Sequence, residues 1–353
     1  MTPRERVEAI LRGRPADRVP FTMYANKLPR CQVELELRNA GLCILERGPG
    51  VFEAVSPNVK TSWISYDEKG AHYVKAFIET PRGLLTTIER PGIGTTWRVK
   101  RMFTGPDDYA AVISMVRDRQ YVPSYDGFVR ARERYGEGSF LRPGIGYSPL
   151  QEIIYTVMGV EQFSIEWAER RDDLMKLYDA LTEDRRKIYP ILADSPAVAF
   201  NYGGNVSPEV VGKERFEKYI VPHYDEAAEV LHRKGKLMGV HLDANNKLLA
   251  PGVARSLMDY VEAFTPPPDC DMSVAEALAA WPGKVLWINF PSSVHLMGVA
   301  TVEETTRQIL REAAPGDRFI MGVTEDVHDD AWPRTFPAIA RIINEEGRLP
   351  LRG

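Results

Sequence analysis

Short apolar runs recur along this chain, and the stretches between them carry apolar residues at helical spacing. Residues 19–24, 140–146, 197–202, 236–241, 260–264, 284–290 and 318–323 are rich in β-branched, aromatic or aliphatic side chains and read as strands. Between them, 151–192, 208–234, 246–258 and 301–313 read as helices. In 208–234, Phe216, Tyr219 and Ile220 supply an apolar side and Glu214, Glu217 and Lys218 a polar one. Strands separated by helices form parallel βα units. About seven such units in one run favour a closed barrel over a doubly wound sheet, although spacing alone leaves the second open.

Two further segments complete the pattern. Thr2-Pro3-Arg4-Glu5 is a capping box with proline at the first helical position, so a helix is expected over 2–13. Val7, Ile10 and Leu11 form its apolar face and Gly13 stops it. Residues 59–66, 72–78 and 83–89 are β-branched and aromatic, with glycine or proline in the turns between them, and predict an antiparallel β insertion near 58–104. The expectation is therefore an α/β fold. It is a single (β/α)8 TIM barrel domain over 1–353, with an N-terminal helical segment and that insertion.

Composition narrows the function classes. At 353 residues the chain suits one large α/β barrel, and 44% hydrophobic with 27% charged content is that of a globular protein. A net charge of −4 with interspersed signs offers no footprint for nucleic acid. No apolar run approaches the ~20 residues a membrane helix requires, and Met1–Arg6 lacks an apolar signal core. Cys31, Cys43 and Cys270 match no disulfide framework, so a cytoplasmic protein is expected. Cys31 and Cys43 are read as packing residues of a helical region.

In a barrel of this kind the loops after the strands build the active mouth. The strand ends here carry Tyr24 with Asn26, Tyr147, Asn201 and Tyr202 with Asn205, then His241 and Asp243. They continue with Thr265 leading to Cys270, then Asn289, and Glu325 with Asp326. Tyr24, Asn26, Tyr147, Asn201, Tyr202 and Asn289 are expected to line a substrate pocket. His241 and Asp243 stand at i, i+2, which in an extended segment points both side chains to one face. An imidazole beside a carboxylate suits zinc, and Cys270 and Glu325 could complete a set of four. The alternative is that Asp243 only orients His241, which then serves as a general acid or a structural residue. Three consecutive prolines, Pro266, Pro267 and Pro268, stiffen the loop that delivers Cys270. His223, His328, His72 and His232 read as structural or surface positions.

The order of motifs resembles the uroporphyrinogen decarboxylase superfamily along nearly the whole chain. Thr2–Val7 with Gly13-Arg14-Pro15-Ala16-Asp17-Arg18-Val19-Pro20 is similar to the N-terminal signature of its non-decarboxylase branches. Thr80-Pro81-Arg82-Gly83-Leu84-Leu85, Val157-Met158-Gly159-Val160-Glu161-Gln162-Phe163, Asn205-Val206-Ser207-Pro208 and Tyr219-Ile220-Val221-Pro222 resemble later segments. The decarboxylases hold a polyanionic tetrapyrrole with arginines of an Arg-Gln-Ala-Gly-Arg-Tyr motif after the first strand. Here that stretch reads Met23-Tyr24-Ala25-Asn26-Lys27-Leu28-Pro29-Arg30, without either motif arginine.

The resemblance is closer to the corrinoid-dependent methyltransferase branch, whose zinc is held by a His-x-Cys pair and a later cysteine. His241 matches the motif histidine, Asp243 replaces the first cysteine and Glu325 stands near the last. An oxygen-richer ligand set puts a thiol acceptor in doubt; relatives that demethylate methoxylated aromatics also depart from the His-x-Cys pattern, so the resemblance implies a methyl ether donor. The resemblance implies methyl transfer from a small O-methylated, possibly aromatic, substrate to the cobalt of a corrinoid. A separate partner protein would carry the corrinoid, since no cobalamin domain is visible in the 353 residues. It implies His241, Asp243 and Glu325 as catalytic groups, with His241, Asp243, Cys270 and Glu325 as zinc ligands. It also implies a homodimer. A decarboxylase of a uroporphyrinogen-like or smaller carboxylate is the second reading, and a non-catalytic binding barrel the third.

Overall fold

The structure is a computed structural model that describes residues 1–93 and 95–352. In chain order the first strands are β1 (Phe21–Tyr24), β2 (Leu42–Glu46), β3 (Phe52–Val55), β4 (Lys60–Glu68), β5 (Ala71–Thr80), β6 (Gly83–Pro91) and β7 (Thr96–Lys100). They are followed by β8 (Gln120–Pro123), β9 (Ser139–Leu141), β10 (Gly144–Gly146), β11 (Ala199–Tyr202), β12 (Leu237–His241), β13 (Tyr260–Phe264), β14 (Val285–Ile288) and β15 (Phe319–Val323). The chain divides into two compact units, one of Met1–Val51, Ser124–Gly146 and Leu192–Gly353, the other of Phe52–Pro123 and Tyr147–Ile191.

The first unit holds a nine-stranded sheet in the order β10-β11-β12-β13-β14-β15-β1-β2-β9. Every pairing in it is parallel. It is a mixed α/β unit built on a large curled sheet of the TIM-like kind. The two outermost strands, β9 and β10, are separated in sequence only by Arg142 and Pro143. Large and small residues fill the interior of the sheet together. Tyr260, Trp287 and Phe140 are buried there with Cys43, Leu45, Ala199 and Ile320. Gly239 leaves room for the Tyr260 ring, since a Cβ at Gly239 would stand 2.0 Å from it. The indole of Trp287 donates to Thr22 Oγ1 at 2.8 Å, so its buried N–H is satisfied. One end of this interior is covered by the helix Pro3–Leu11, whose Val7, Ile10 and Leu11 join the same cluster. That helix carries the capping box, with Thr2 Oγ1 accepting from the Glu5 amide at 3.2 Å and Glu5 Oε2 from the Thr2 amide at 2.8 Å.

The second unit contains a four-stranded antiparallel sheet, β4-β5-β6-β7, and a two-stranded antiparallel ribbon of β3 and β8. The first of these occupies the stretch 58–104. Ala76 and Leu85 are its buried residues, and the helix Tyr109–Asp118 packs on β6 through Ala111 beside Gly83. Beneath the ribbon, Arg119 bonds Glu152 at 2.9 Å and Asp184 at 3.1 Å, and Tyr121 donates to Asp184 at 2.8 Å. Arg185 joins this charge network on Glu152 at 2.7 Å, and Lys187 joins it on Asp184 at 3.3 Å.

Three readings of the sequence need correction. Cys31 is not a packing residue; it is exposed at the start of the helix Gln32–Asn39. Cys43 does not lie in a helix; it is buried on β2, between Leu42 and Ile44, a strand of five residues too short to show a period. The pattern over 208–234 is three helices, Pro208–Val211, Lys213–Tyr219 and Val221–His232. Gly212 breaks it at φ 71°, a left-handed backbone suited to glycine, and Pro222 starts the last helix where its missing N–H costs nothing.

Candidate active site

β12 and β13 pair in parallel with His241 opposite Glu262, so the two side chains leave neighbouring strands on the same face. Glu262 is fully enclosed. Its two oxygens are shared among donors from four places in the sheet. Tyr24 at the end of β1 donates its hydroxyl to Oε1 at 2.5 Å, and Arg142 Nη2 stands 3.4 Å from the same oxygen. Oε2 lies 2.8 Å from His241 Nδ1 and 3.3 Å from Asn201 Nδ2 on β11. The strand leaves register immediately after Glu262, and Ala263 takes φ 59°. That conformation costs an L-residue roughly 1–2 kcal/mol and accompanies a local irregularity of the strand.

Beyond the strand end the ligating groups converge. His241 Nε2 faces Asp243 Oδ2 at 3.3 Å. Among the described residues, one ligating atom from each of His241, Asp243 and Glu325 lies within 4.8 Å of the others. Glu325 follows β15 by two residues, and its neighbour Asp326 is paired with Lys27 at 2.7 Å.

Burial alone would lower the basicity of His241, but the Glu262 carboxylate and then Asp243 outweigh it and raise it well above the ordinary histidine range. Glu262 is buried too, which taken alone would raise it, and Arg142 with His241 hold it below the usual carboxylate range. For Asp243 burial again acts upward and the hydrogen bond and charge of His241 bring the net shift downward. Glu325 is raised, first by burial and then by the nearby charge of Asp243. Two carboxylates that crowd one another beside an imidazole lone-pair position form a donor set that a divalent cation would relieve. With Nδ1 committed to Glu262, Nε2 is the nitrogen left for such an ion, the usual arrangement of a carboxylate-supported metal histidine. The residues present therefore fit a divalent cation held by one nitrogen and two oxygens.

The other expected site residues are distributed differently. The Cys270 thiol is pushed up to about 11, first by burial, and donates to the Asp243 carbonyl at 3.4 Å, so it steadies the loop as a neutral thiol. Asn26 is exposed in the 3-10 turn Ala25–Lys27. Tyr202 is enclosed with its ring 5.1 Å from that of Tyr224 on the helix Val221–His232. Asn289 is buried and ties strand ends together, donating to Thr265 Oγ1 at 3.3 Å and accepting from the Thr324 amide at 2.9 Å. Tyr147 belongs to the second unit, where its ring lies 5.9 Å from Tyr155. Glu262 and Arg142 escaped sequence reasoning. Their signal was nonetheless present, because each is a single charge at the edge or centre of an otherwise apolar strand.

The fold resembles that of a known methyltransferase. The solved structure of a methyltransferase from Methanosarcina mazei superposes with a TM-score of 0.61 over 98% of this chain and 99% of its own, at 12% sequence identity. At that identity the likeness is one of fold. Dispersin B matches at a TM-score of 0.30 and 12% identity over 62% of this chain and 75% of its own, too distant to bear on the fold. No family model matches the chain, and no curated protein matches it in sequence. Among the described residues, no helix is long and apolar enough to cross a membrane.

Proposed function

We propose that this protein is a methyltransferase that takes the methyl group of a small O-methylated substrate, an aromatic methyl ether being the preferred class. The observation that carries the reading is the convergence of His241, Asp243 and Glu325 beyond the ends of β12 and β15, in a chain whose fold parallels a methyltransferase over nearly its full length. We read β9 and β10 as one strand interrupted at Arg142 and Pro143, which makes the sheet an eight-stranded (β/α)8 barrel of the uroporphyrinogen decarboxylase type. Its catalytic mouth is then the C-terminal one, where the three residues stand.

In this reading His241 Nε2, Asp243 and Glu325 hold a divalent cation, zinc being the first candidate. Bound there, the ion supplies a Lewis acid for the oxygen that loses its methyl group. The acceptor is the cobalt of a corrinoid carried by a separate protein, as in the branch the sequence resembles. The chain's own residues fix the geometry. Glu262 and Tyr24 hold the imidazole, Cys270 holds the Asp243 backbone, and in this reading Asn26 on the exposed turn contacts the substrate. Tyr202 and Asn289 act through packing and strand-end hydrogen bonds. A decarboxylase of polyanionic substrates stays the second reading: of Lys27 and Arg30, the cations that follow β1, Lys27 is engaged by Asp326 of the chain itself.

The test is elemental analysis of the native protein and of His241→Ala, followed by a single-turnover assay with a methoxyarene and reduced free corrinoid. About one zinc per chain that is lost in the variant, with formation of methylated corrinoid by the native protein alone, is the expected result. Demethylation that proceeds equally in His241→Ala would sink the proposal.

A further inference from the structure

We propose that Glu262 is a positioning residue that fixes the orientation of His241, so that Nε2 and not Nδ1 is presented at the mouth beside Asp243 and Glu325. The inference rests on the reading of that mouth as the reaction site. Its grounds are the inventory of donors around one buried carboxylate. Glu262 is fully buried and in its charged form can only accept. Tyr24, Arg142, Asn201 and His241 surround it at 2.5, 3.4, 3.3 and 2.8 Å. Tyr24, Arg142 and Asn201 all turn donors toward the carboxylate, and the imidazole meets it at Nδ1, so Nε2 is the nitrogen turned to the mouth whether or not it carries a proton. Tyr24, 3.2 Å from the same nitrogen, has its hydroxyl proton directed to Glu262 and offers Nδ1 no competing donor.

The ring is also bounded from its other side. A Cβ at Gly204 would stand 2.3 Å from His241 Cδ2 and 3.1 Å from Nε2, so the backbone there lies close against that edge of the imidazole. Glu262 and Gly204 thus grip one ring from two directions, the first through a hydrogen bond and the second by exclusion. Neither has a ligating atom in the cluster at the mouth.

The experiment uses protein labelled with nitrogen-15 histidine, in which the side-chain signals of His241 are identified by their loss in His241→Ala. In the native protein His241 is expected to show a slowly exchanging Nδ1 proton, and zinc to shift Nε2 alone. Glu262→Gln should lose the protection of that proton and bind zinc, measured by competition with a chromophoric chelator, about 10- to 100-fold more weakly. Should Glu262→Gln fail to fold because Arg142 loses its counter-charge, Glu262→Gln with Arg142→Met removes the orphaned charge and carries the same two readouts. Gly204→Ala should weaken zinc binding without touching Glu262. A folded Glu262 variant with the native Nδ1 proton and native zinc affinity overturns the proposal. Absence of zinc binding by the native protein would instead count against the metal-assisted reaction, while the Nδ1 signal still decides the role of Glu262.

Discussion

Two histidines in the first unit, the half-buried His241 and the buried His295, show how the partner of one nitrogen decides what the other can do. His241 has a carboxylate at each nitrogen and is favoured in its charged form. His295 is enclosed by the rings of Phe290 and Phe336, and its Nδ1 lies 2.8 Å from Thr335 Oγ1. The Thr335 hydroxyl proton is directed at the Ala331 carbonyl, so Nδ1 carries the histidine proton and Nε2 is left buried without a partner. Burial therefore lowers the His295 pKa to about 4 from 6.5, against a weaker opposing pull from Asp269. Between those values the unfolded chain binds the extra proton, so stability is fully present above about pH 6.5 and declines as the pH falls toward 4. Urea unfolding at pH 7, 6 and 5 should show a decline with a contribution of up to about 1.4 kcal/mol per pH unit from this residue. His295→Asn keeps a donor for Thr335 without a titrating ring and should flatten that slope; an unchanged slope would remove His295 as its source.

At the level of elements, the interior is built from pairs in which one strand's glycine admits the next strand's ring. Gly239 on β12 faces Tyr260 on β13, and the two are paired in register. Tyr260 in turn donates its hydroxyl to the Phe200 carbonyl on β11 at 2.7 Å, which leaves the ring little freedom to retreat. Gly239→Ala should therefore cost about 1–3 kcal/mol by overpacking, seen as a lower urea midpoint with an unchanged slope. A midpoint within error of the native value would mean that the ring relocates cheaply. Strands of this kind were legible in the sequence because their outward residues meet helices and their inward residues meet each other, so 197–202, 260–264 and 318–323 read as predominantly apolar runs, interrupted by Asn201, Glu262 and Arg318. β2 was not legible. Its five residues, Leu42–Glu46, follow a short helix with no punctuation beyond Gly41.

Across the first unit, one connected group of buried polar side chains joins distant strands. Arg142 from the gap between β9 and β10, Glu262 from β13, Tyr24 from β1 and His241 from β12 meet inside a sheet otherwise filled with Trp287, Tyr260 and aliphatic residues. A charge there is tolerated only because its partner is present. Arg142→Met should destabilise the protein by about 3–5 kcal/mol, because Glu262 is left buried with its principal counter-charge gone. Replacing both Arg142 and Glu262 by methionine should cost clearly less than the sum of the two single changes in thermal or urea unfolding. Additive losses would show that the two groups are not energetically coupled.

What the sequence determined by itself is the local and the periodic. The capping box of Thr2 and Glu5, the alternation of strand and helix, the antiparallel stretch within 58–104 and the polar strand ends at His241, Asp243 and Glu325 all follow from spacing and residue type. These depend on backbone geometry within a few residues, which the chain carries wherever it is placed. What only the tertiary structure decided is which of those strand ends meet. His241, Asp243 and Glu325 form one cluster while Cys270 turns its thiol to a carbonyl, Asn289 binds strand ends and Tyr202 packs on a helix. The same holds for Glu262 and Arg142, 120 positions apart in sequence and 3.4 Å apart in space. Strand order and register set these meetings, and they arise from packing between distant segments that no local pattern encodes.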